Sequence, residues 1–299
     1  MLNKKLLLVV NPKSGTERMK FELLPVVQIF SKAGYGVTVY PTTARRDATK
    51  YVASLEENYD LIVCCGGDGT LNEVISGIML SGKNIPVAYI PAGTLNEWSS
   101  GLGISRNIKT AASDITEGRI LPLDIGRFNK KYFTYTASFG AFTSASYSAP
   151  QDVKNVLGQA AYFFEGIKSI GNIKPVELTF NVDGKEFSGN YLFGAVTNSL
   201  SVGGIIKLDP ATVEFNDGFF ELMLIENPEN LAELNDTIDG VLKHDFNRKR
   251  IIQMRAKKVV VTGGKNVDWT LDGEKAAGSD TLEIENVNKA INFLIPNKQ

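Results

Sequence analysis

The sequence predicts a two-domain chain: an α/β N-terminal domain with a mostly parallel, doubly wound sheet, followed by a C-terminal antiparallel β-sandwich domain. Three observations predict it. At 299 residues and 43% hydrophobic content the chain exceeds a typical single domain and can bury more than one core. Up to Leu121, short aliphatic runs alternate with amphipathic stretches, the pattern of strands joined by helical crossovers. Beyond Leu121 come runs rich in β-branched and aromatic residues, separated by turn dipeptides such as Asp183-Gly184.

In order along the first domain (residues 1–121), Leu6 to Val10, Val37 to Tyr40, Leu61 to Cys65 and Val87 to Ile90 read as buried strands. Met19 to Ala33, Asp47 to Glu56, Leu71 to Ser81 and Asn107 to Glu117 carry apolar residues at helical spacing. Right-handed crossovers place these helices on both faces of the sheet. In the second domain (residues 122–287), Tyr132 to Phe139, Val176 to Val182, Tyr191 to Thr197, Phe219 to Ile225, Lys257 to Thr262, Trp269 to Leu271 and Thr281 to Ile284 read as strands. Gln151 to Ile170 and Leu231 to Leu242 read as inserted helices, and residues 288–299, with the strand Ile291 to Ile295, are expected to return to the first domain.

Composition removes several function classes. With 32 Lys+Arg against 33 Asp+Glu, the net charge of −1 gives no general pull toward nucleic acid or an anionic bilayer. The two cysteines, Cys64 and Cys65, are adjacent in an apolar run, where successive strand side chains point to opposite faces; they read as reduced core residues. Leu6 to Val10 is too short for a signal segment, and no run approaches the roughly 20 residues of a membrane span. A soluble, cytoplasmic protein is the expectation. His244 is the single histidine, so histidine-based triads and histidine-rich metal sites are excluded.

Three of the four proposed N-terminal strands end in polar or glycine-rich loops: Asn11-Pro12-Lys13-Ser14-Gly15, Gly66-Gly67-Asp68-Gly69-Thr70, and Pro91-Ala92-Gly93-Thr94-Leu95-Asn96-Glu97. In an open α/β sheet such carboxyl-terminal loops line the ligand crevice. Glycines let backbone approach closely, and N–H groups at a helix start hold phosphate oxygens. Each loop alone could be a tight strand-to-helix turn; together they imply a phosphorylated ligand. Neither a Walker A run nor G-x-G-x-x-G occurs at them.

These loops, in order with Leu71-Asn72-Glu73 after the second and Asp272-Gly273-Glu274 late in the chain, resemble the diacylglycerol kinase catalytic-domain family, including bacterial soluble lipid kinases. The likeness runs over nearly the whole chain, whereas the G-G-D-G-T core alone is shared with NAD kinases and 6-phosphofructokinases. By that resemblance Asn11, Pro12, Lys13, Ser14, Gly15, Thr42, Gly66, Gly67, Asp68, Gly69, Thr70, Leu71, Asn72, Thr94 and Asn96 bind ATP. Asp68 helps organise the catalytic Mg²⁺. The family pattern G-T-x-N-D-F reads here Gly93-Thr94-Leu95-Asn96-Glu97-Trp98, which could reshape the lipid or nucleotide pocket.

In the second domain Asp272 and Glu274 stand two residues apart, on one face of a strand or able to converge at a turn. In isolation a hairpin turn explains Asp272-Gly273 equally well. Phosphoryl transfer to an alcohol needs a carboxylate to accept the hydroxyl proton. The resemblance makes Glu274 that base and Asp272 a second catalytic carboxylate or metal-network member. It also makes Glu214-Phe215-Asn216-Asp217-Gly218-Phe219 a structural Mg²⁺ site, through the Asp217 side chain and the carbonyls of Glu214 and Phe219; a plain turn is the alternative.

The implied function is a lipid kinase moving the γ-phosphoryl of ATP to a hydroxyl of a diacylglycerol-like lipid, with transient contact at the inner face of the membrane. An NAD kinase-like phosphotransferase and a non-catalytic lipid or nucleotide sensor are the competing readings. The basic run Lys243 to Lys258 is a candidate membrane contact or a solvated connection, and Tyr162, Phe163, Phe164 and Ile167 are candidates to line an acyl channel. An exposed strand edge could pair two copies.

Overall fold

A computed structural model of the chain describes residues 4–14, 19–93, 96–140, 174–202, 206–209 and 213–297. It divides into Met1–Ile125 with Asn288–Gln299, and Gly126–Val287. The expected helix over 151–170, with its four candidate acyl-channel residues, lies outside the described residues.

In the first unit β1 (Lys4–Val10), β2 (Tyr35–Pro41), β3 (Leu61–Gly66) and β4 (Val87–Pro91) form a parallel sheet in the order β4-β3-β1-β2. β3 and β4 are buried along their whole length and β1 over its last five residues, as their unbroken aliphatic composition requires. The connecting helices are α1 (Met19–Lys32), α2 (Asp47–Ala53), α3 (Asp68–Ser81), the short α4 (Glu97–Gly101) and α5 (Ile108–Thr116). Asn107 caps α5, its side-chain oxygen accepting from the Thr110 N–H at 3.0 Å. α1 packs on α5 and α2 on α3. The chain leaves β1 toward β2 but continues from β2 to β3 on the opposite side of β1. The loops after β1 and β3 therefore diverge at a topological switch point, where such sheets open a crevice.

The second unit is antiparallel. It draws on β5 (Arg119–Phe128), β6 (Lys131–Phe133), β7 (Thr136–Gly140), β8 (Val176–Val182), β9 (Lys185–Thr197), the two-residue β10 (Ser201–Val202) and β11 (Ile206–Lys207), and β12 (Phe220–Glu226). After α6 (Leu231–Lys243) come β13 (Ile251–Ala256), β14 (Lys258–Thr262), β15 (Asp268–Leu271), β16 (Glu274–Ala277) and β17 (Thr281–Ile295). Asp183 and Gly184 have φ of 49° and 93°, and Val182 pairs with Lys185: a two-residue hairpin with both central residues left-handed, as its Asp-Gly predicts. Side chains alternate across β12. Phe220, Leu222 and Leu224 join a core of Phe133, Phe139, Phe180 and Trp269, while Met223 and Ile225 join Phe193, Val241 and Ile251.

Three expectations about elements change. Tyr132 to Phe139 is two strands, because the N–H groups of residues 134–136 turn to a carboxylate described below. Thr281 to Ile284 and Ile291 to Ile295 are one 15-residue strand, β17, whose Phe293 pairs parallel with Val87 of the first unit's sheet. The basic connection before Lys258 contains β13, Ile-Ile-Gln-Met-Arg-Ala, hidden from pattern reading by the basic residues that flank it.

Candidate functional site

In the first unit the loops of the switch point are bound to each other. Asn11 N–H donates to Cys65 O at 2.9 Å, and its side-chain amide donates to Thr70 Oγ1 at 3.0 Å. The Asn11 Oδ1 accepts from Lys13 N–H at 3.0 Å, and Ser14 N–H donates to Asn11 O at 3.2 Å, so one asparagine both shapes the first loop and fastens it to the second. Thr42, after β2, joins from the other side through its N–H to Val10 O at 2.8 Å. Gly15 and Thr94 lie outside the described residues.

Gly67 is the N-cap of α3 and, being glycine, supplies no side-chain cap to its first turn. An α-helix leaves its first N–H groups without intrahelical acceptors and carries a positive dipole end, so this start is built for an anion. The close approach explains the glycines: a Cβ on Gly93 would lie 2.6 Å from Gly67 Cα, so only two bare backbones bring the second and third loops together. Asp68 begins α3 and accepts from the Glu97 N–H at 3.1 Å. Hard carboxylate oxygens beside a helix start that favours anions suit Mg²⁺.

The remaining motif residues hold the loops. Leu71 is wholly buried in the core and Thr70 is nearly so, clamped by Asn11. Asn72 Oδ1 accepts from Ser76 within α3 at 3.4 Å. Asn96, with φ of 51° and 4% exposure, spends its side-chain oxygen on Tyr89 OH (2.9 Å) and Gly93 N–H (3.0 Å) and its nitrogen on Gly93 O (2.7 Å). It shapes the third loop. Trp98 is buried edge-on against Phe293, centroids 5.0 Å apart, so the Phe-to-Trp departure is absorbed by the core. Sequence reasoning named Glu73 in the motif but gave it no role; its carboxylate accepts from the N–H groups of Arg46 (2.7 Å) and Ala48 (3.2 Å) and so fixes the start of α2. That reasoning missed buried Asp124, which binds Asn288 Nδ2 (3.0 Å) and Lys289 N–H (2.7 Å). Both were silent because their partners are distant in sequence.

In the second unit Asp272 and Gly273, φ 48° and 83°, form the two-residue turn between β15 and β16. The turn is also a clamp. Asp272 is 5% exposed and its carboxylate accepts from Thr134 N–H (2.5 Å), Thr134 Oγ1 (2.7 Å), Tyr135 N–H (2.9 Å) and Thr136 N–H (3.0 Å). Burial pushes its carboxyl above the usual value against the pull of these donors. Asp272, expected as a second catalytic carboxylate or metal-network member, turns inward onto residues 134–136, whereas Glu274, first residue of β16, is exposed.

The donor set at Asp217 does not fit the implied structural Mg²⁺. Its Oδ1 accepts from Phe219 N–H at 2.9 Å, and its Oδ2 pairs with the Arg255 guanidinium. Among the described residues no group of three His, Cys, Asp or Glu side chains is placed to hold a metal ion. Beside this pair Glu221, 3% exposed, has no side-chain partner on either oxygen among the described residues, and burial pushes it up to about 8 against the pull of its own backbone N–H. Strand register puts Arg255, Glu221, Thr197 and Thr136 in one row on one face of β13, β12, β9 and β7.

The basic run 243–258 is largely neutralised within the unit. Arg248 pairs with Asp236, Asp239 and Asp245, and Arg250 with Glu226, Glu229 and Glu233. Among the described residues no helix is long and apolar enough to cross a membrane.

A switch-point crevice with an uncapped helix start, joined in one chain to an antiparallel β unit, defines a nucleotide-using phosphotransferase class. Residues 5–128 match the model of the diacylglycerol kinase catalytic domain, and residues 137–294 that of the YegS C-terminal NAD kinase beta sandwich-like domain. A Bacillus subtilis (strain 168) protein named diacylglycerol kinase is 36% identical, over 98% of this chain and 96% of its own. One from Staphylococcus aureus (strain MRSA252), of the same name, is 33% identical over 99% and 94%. The crystal structure of a diacylglycerol kinase from Bacillus anthracis str. Sterne shares the fold, with TM-score 0.80 and 24% identity over 98% of this chain and 97% of that one. A second structure from that organism has TM-score 0.82 and 26% identity over 99% and 97%. The chain belongs to the diacylglycerol kinase family of lipid kinases.

Proposed function

We propose that this kinase transfers the γ-phosphoryl of ATP to a free hydroxyl of a diacylglycerol-like lipid, using Mg²⁺. The observation that carries the phosphoryl-transfer reading is the uncapped start of α3, with Asp68 at its first position, between the bound loops after β1 and β3. The names of relatives at 33–36% identity support the lipid acceptor.

In this reading the loops after β1, β3 and β4 bind the nucleotide, with Asn11 to Gly15, Thr42, Gly66 to Gly69, Asn72 and Thr94 at its phosphates and sugar, while Thr70 and Leu71 hold the second loop from within. Asn96 acts by shaping its loop. Bound Mg²⁺ would neutralise charge on the β- and γ-phosphates, and Asp68 supplies the carboxylate for it. Glu274 is the group that accepts the hydroxyl proton as the lipid oxygen bonds to phosphorus and the bond to the bridging oxygen of ADP breaks. Being exposed, it is open to an external substrate, which Asp272 is not. Asp272 positions it by anchoring the turn. Lipid presentation at the inner face of a membrane is part of the proposal, with the pairing of two copies left to measurement of molecular mass in solution.

The test is transfer of label from γ-labelled ATP, with Mg²⁺, to mixed micelles holding diacylglycerol, other lipid alcohols in parallel, and NAD as a soluble acceptor. Label in diacylglycerol is the expected result. Label in NADP would move the acceptor to a dinucleotide, and ATP binding without transfer to any acceptor would make the chain a sensor.

A further inference from the structure

We propose that the loop Glu214 to Phe219 is closed by the guanidinium of Arg255 in the place where the family resemblance puts a divalent cation. Both oxygens of Asp217 are engaged inside the protein, one by the Phe219 N–H at 2.9 Å and the other by Arg255. The pair is sheltered on the acid's side, where the Asp217 side chain is 17% exposed.

Arg255 is held there by more than this ion pair. It lies on β13 directly opposite Glu221 of β12, in a ladder running from Phe220 with Ala256 to Ile225 with Ile251, so its backbone cannot drift. Its guanidinium carbon sits 4.4 Å from the centre of the Phe219 ring, and the Lys257 ammonium is 4.8 Å from the same ring. The loop therefore presents an acid and an aromatic face to one planar cation, and both are used. Mg²⁺ requires near-octahedral oxygen ligands at about 2.0–2.1 Å. With Arg255 on Oδ2, a second cation at Asp217 meets a positive charge instead of a free oxygen. Removing the guanidinium leaves the Asp217 carboxylate, with that of Glu221 on β12 directly opposite position 255, as hard oxygens a divalent ion can take.

The inference is independent of which lipid is phosphorylated and is tested without nucleotide or lipid. After chelator treatment and dialysis, the full chain is melted with and without millimolar Mn²⁺ or Mg²⁺, alongside Arg255→Gln, Asp217→Asn and the double variant. The wild type is expected to melt at the same temperature in all conditions. Arg255→Gln should melt about 2–5 °C lower in chelator and recover on Mn²⁺, with the recovery lost in the double variant. A wild-type stabilisation by divalent ion that Asp217→Asn abolishes would overturn the proposal, because the cation would then share the loop with Arg255. Arg255→Gln melting like the wild type would overturn it too. So would an Arg255→Gln protein that ignores Mn²⁺, since the guanidinium would then fill no cation's place. Ion binding at the nucleotide loops persists in Asp217→Asn and is separated by it.

Discussion

The glycine-rich loops of the first unit and the acidic turns of the second use polar groups in opposite ways. In the first, side chains such as Asn11 and Asn96 are spent on shaping the loops, and the start of α3 is left without a side-chain cap. In the second, the backbone does the shaping: N–H groups of residues 134–136 and of Phe219 are turned onto Asp272 and Asp217. The difference teaches that a carboxylate in a kinase-like motif need not be a reacting group. Asp272 with four donors is anchored as firmly as a core residue, while Glu274, two positions on, is exposed.

The sharpest way to break this contrast is to exchange the two acids for amides. Glu274→Gln should lower lipid phosphorylation by roughly 10²–10⁴-fold while leaving the melting temperature unchanged. Retained turnover would remove Glu274 from the mechanism. Asp272→Asn should do the reverse in kind, replacing one acceptor with a donor that faces N–H groups. An unfolding free energy lower by about 3 kcal/mol in urea titrations is expected, with a smaller loss of kcat in the folded protein than Glu274→Gln causes, because Asp272 acts only by anchoring the turn that carries Glu274. Equal stability in the variant would show that the turn stands without its anchor.

Glu221 sharpens the same comparison through pH. Its carboxyl is raised from 4.5 to about 8, so between these values the folded chain holds a proton that the unfolded chain has lost. Stability therefore falls as pH rises through that window and the penalty is complete above about pH 8, of order 5 kcal/mol. The groups that face it are Arg255 and Thr197 across the strands and Asp217 from the loop before. Glu221→Gln, which cannot ionise, should flatten that part of the pH profile of urea midpoints; an unchanged slope would assign the dependence to another group. In the first unit Gly93→Ala tests the backbone contact. Its methyl would fall 2.6 Å from Gly67 Cα, and a cost of about 1–3 kcal/mol with a raised KM for ATP is expected. A KM like the wild type would mean that the two loops can part without harm to the nucleotide.

Much of the architecture was legible because its causes are local. The aliphatic runs Leu6 to Val10, Leu61 to Cys65 and Val87 to Ile90 are buried strands as read, whereas Val37 to Tyr40, read the same way, lies in β2 at the sheet's edge with no buried residue; Asp183-Gly184 and Asp272-Gly273 form hairpins because that dipeptide tolerates two successive left-handed residues. The break within Tyr132 to Phe139 was not legible, since it is imposed by a carboxylate about 140 positions later. The same holds for the basic run 243–258, which reads as a cationic surface until its acidic partners fold beside it.

The sequence by itself determined the order of strands and helices, the three glycine-rich loops and the identity of the acids, because periodicity, turn chemistry and motif spacing are properties of neighbouring residues. Only the tertiary structure decided which polar groups bind the protein and which face outward. Asp272 chose residues 134–136, Asp217 chose Arg255, and Glu73 chose the start of α2. A charge's role depends on what lies within a few ångströms of it, and that is settled when distant segments pack.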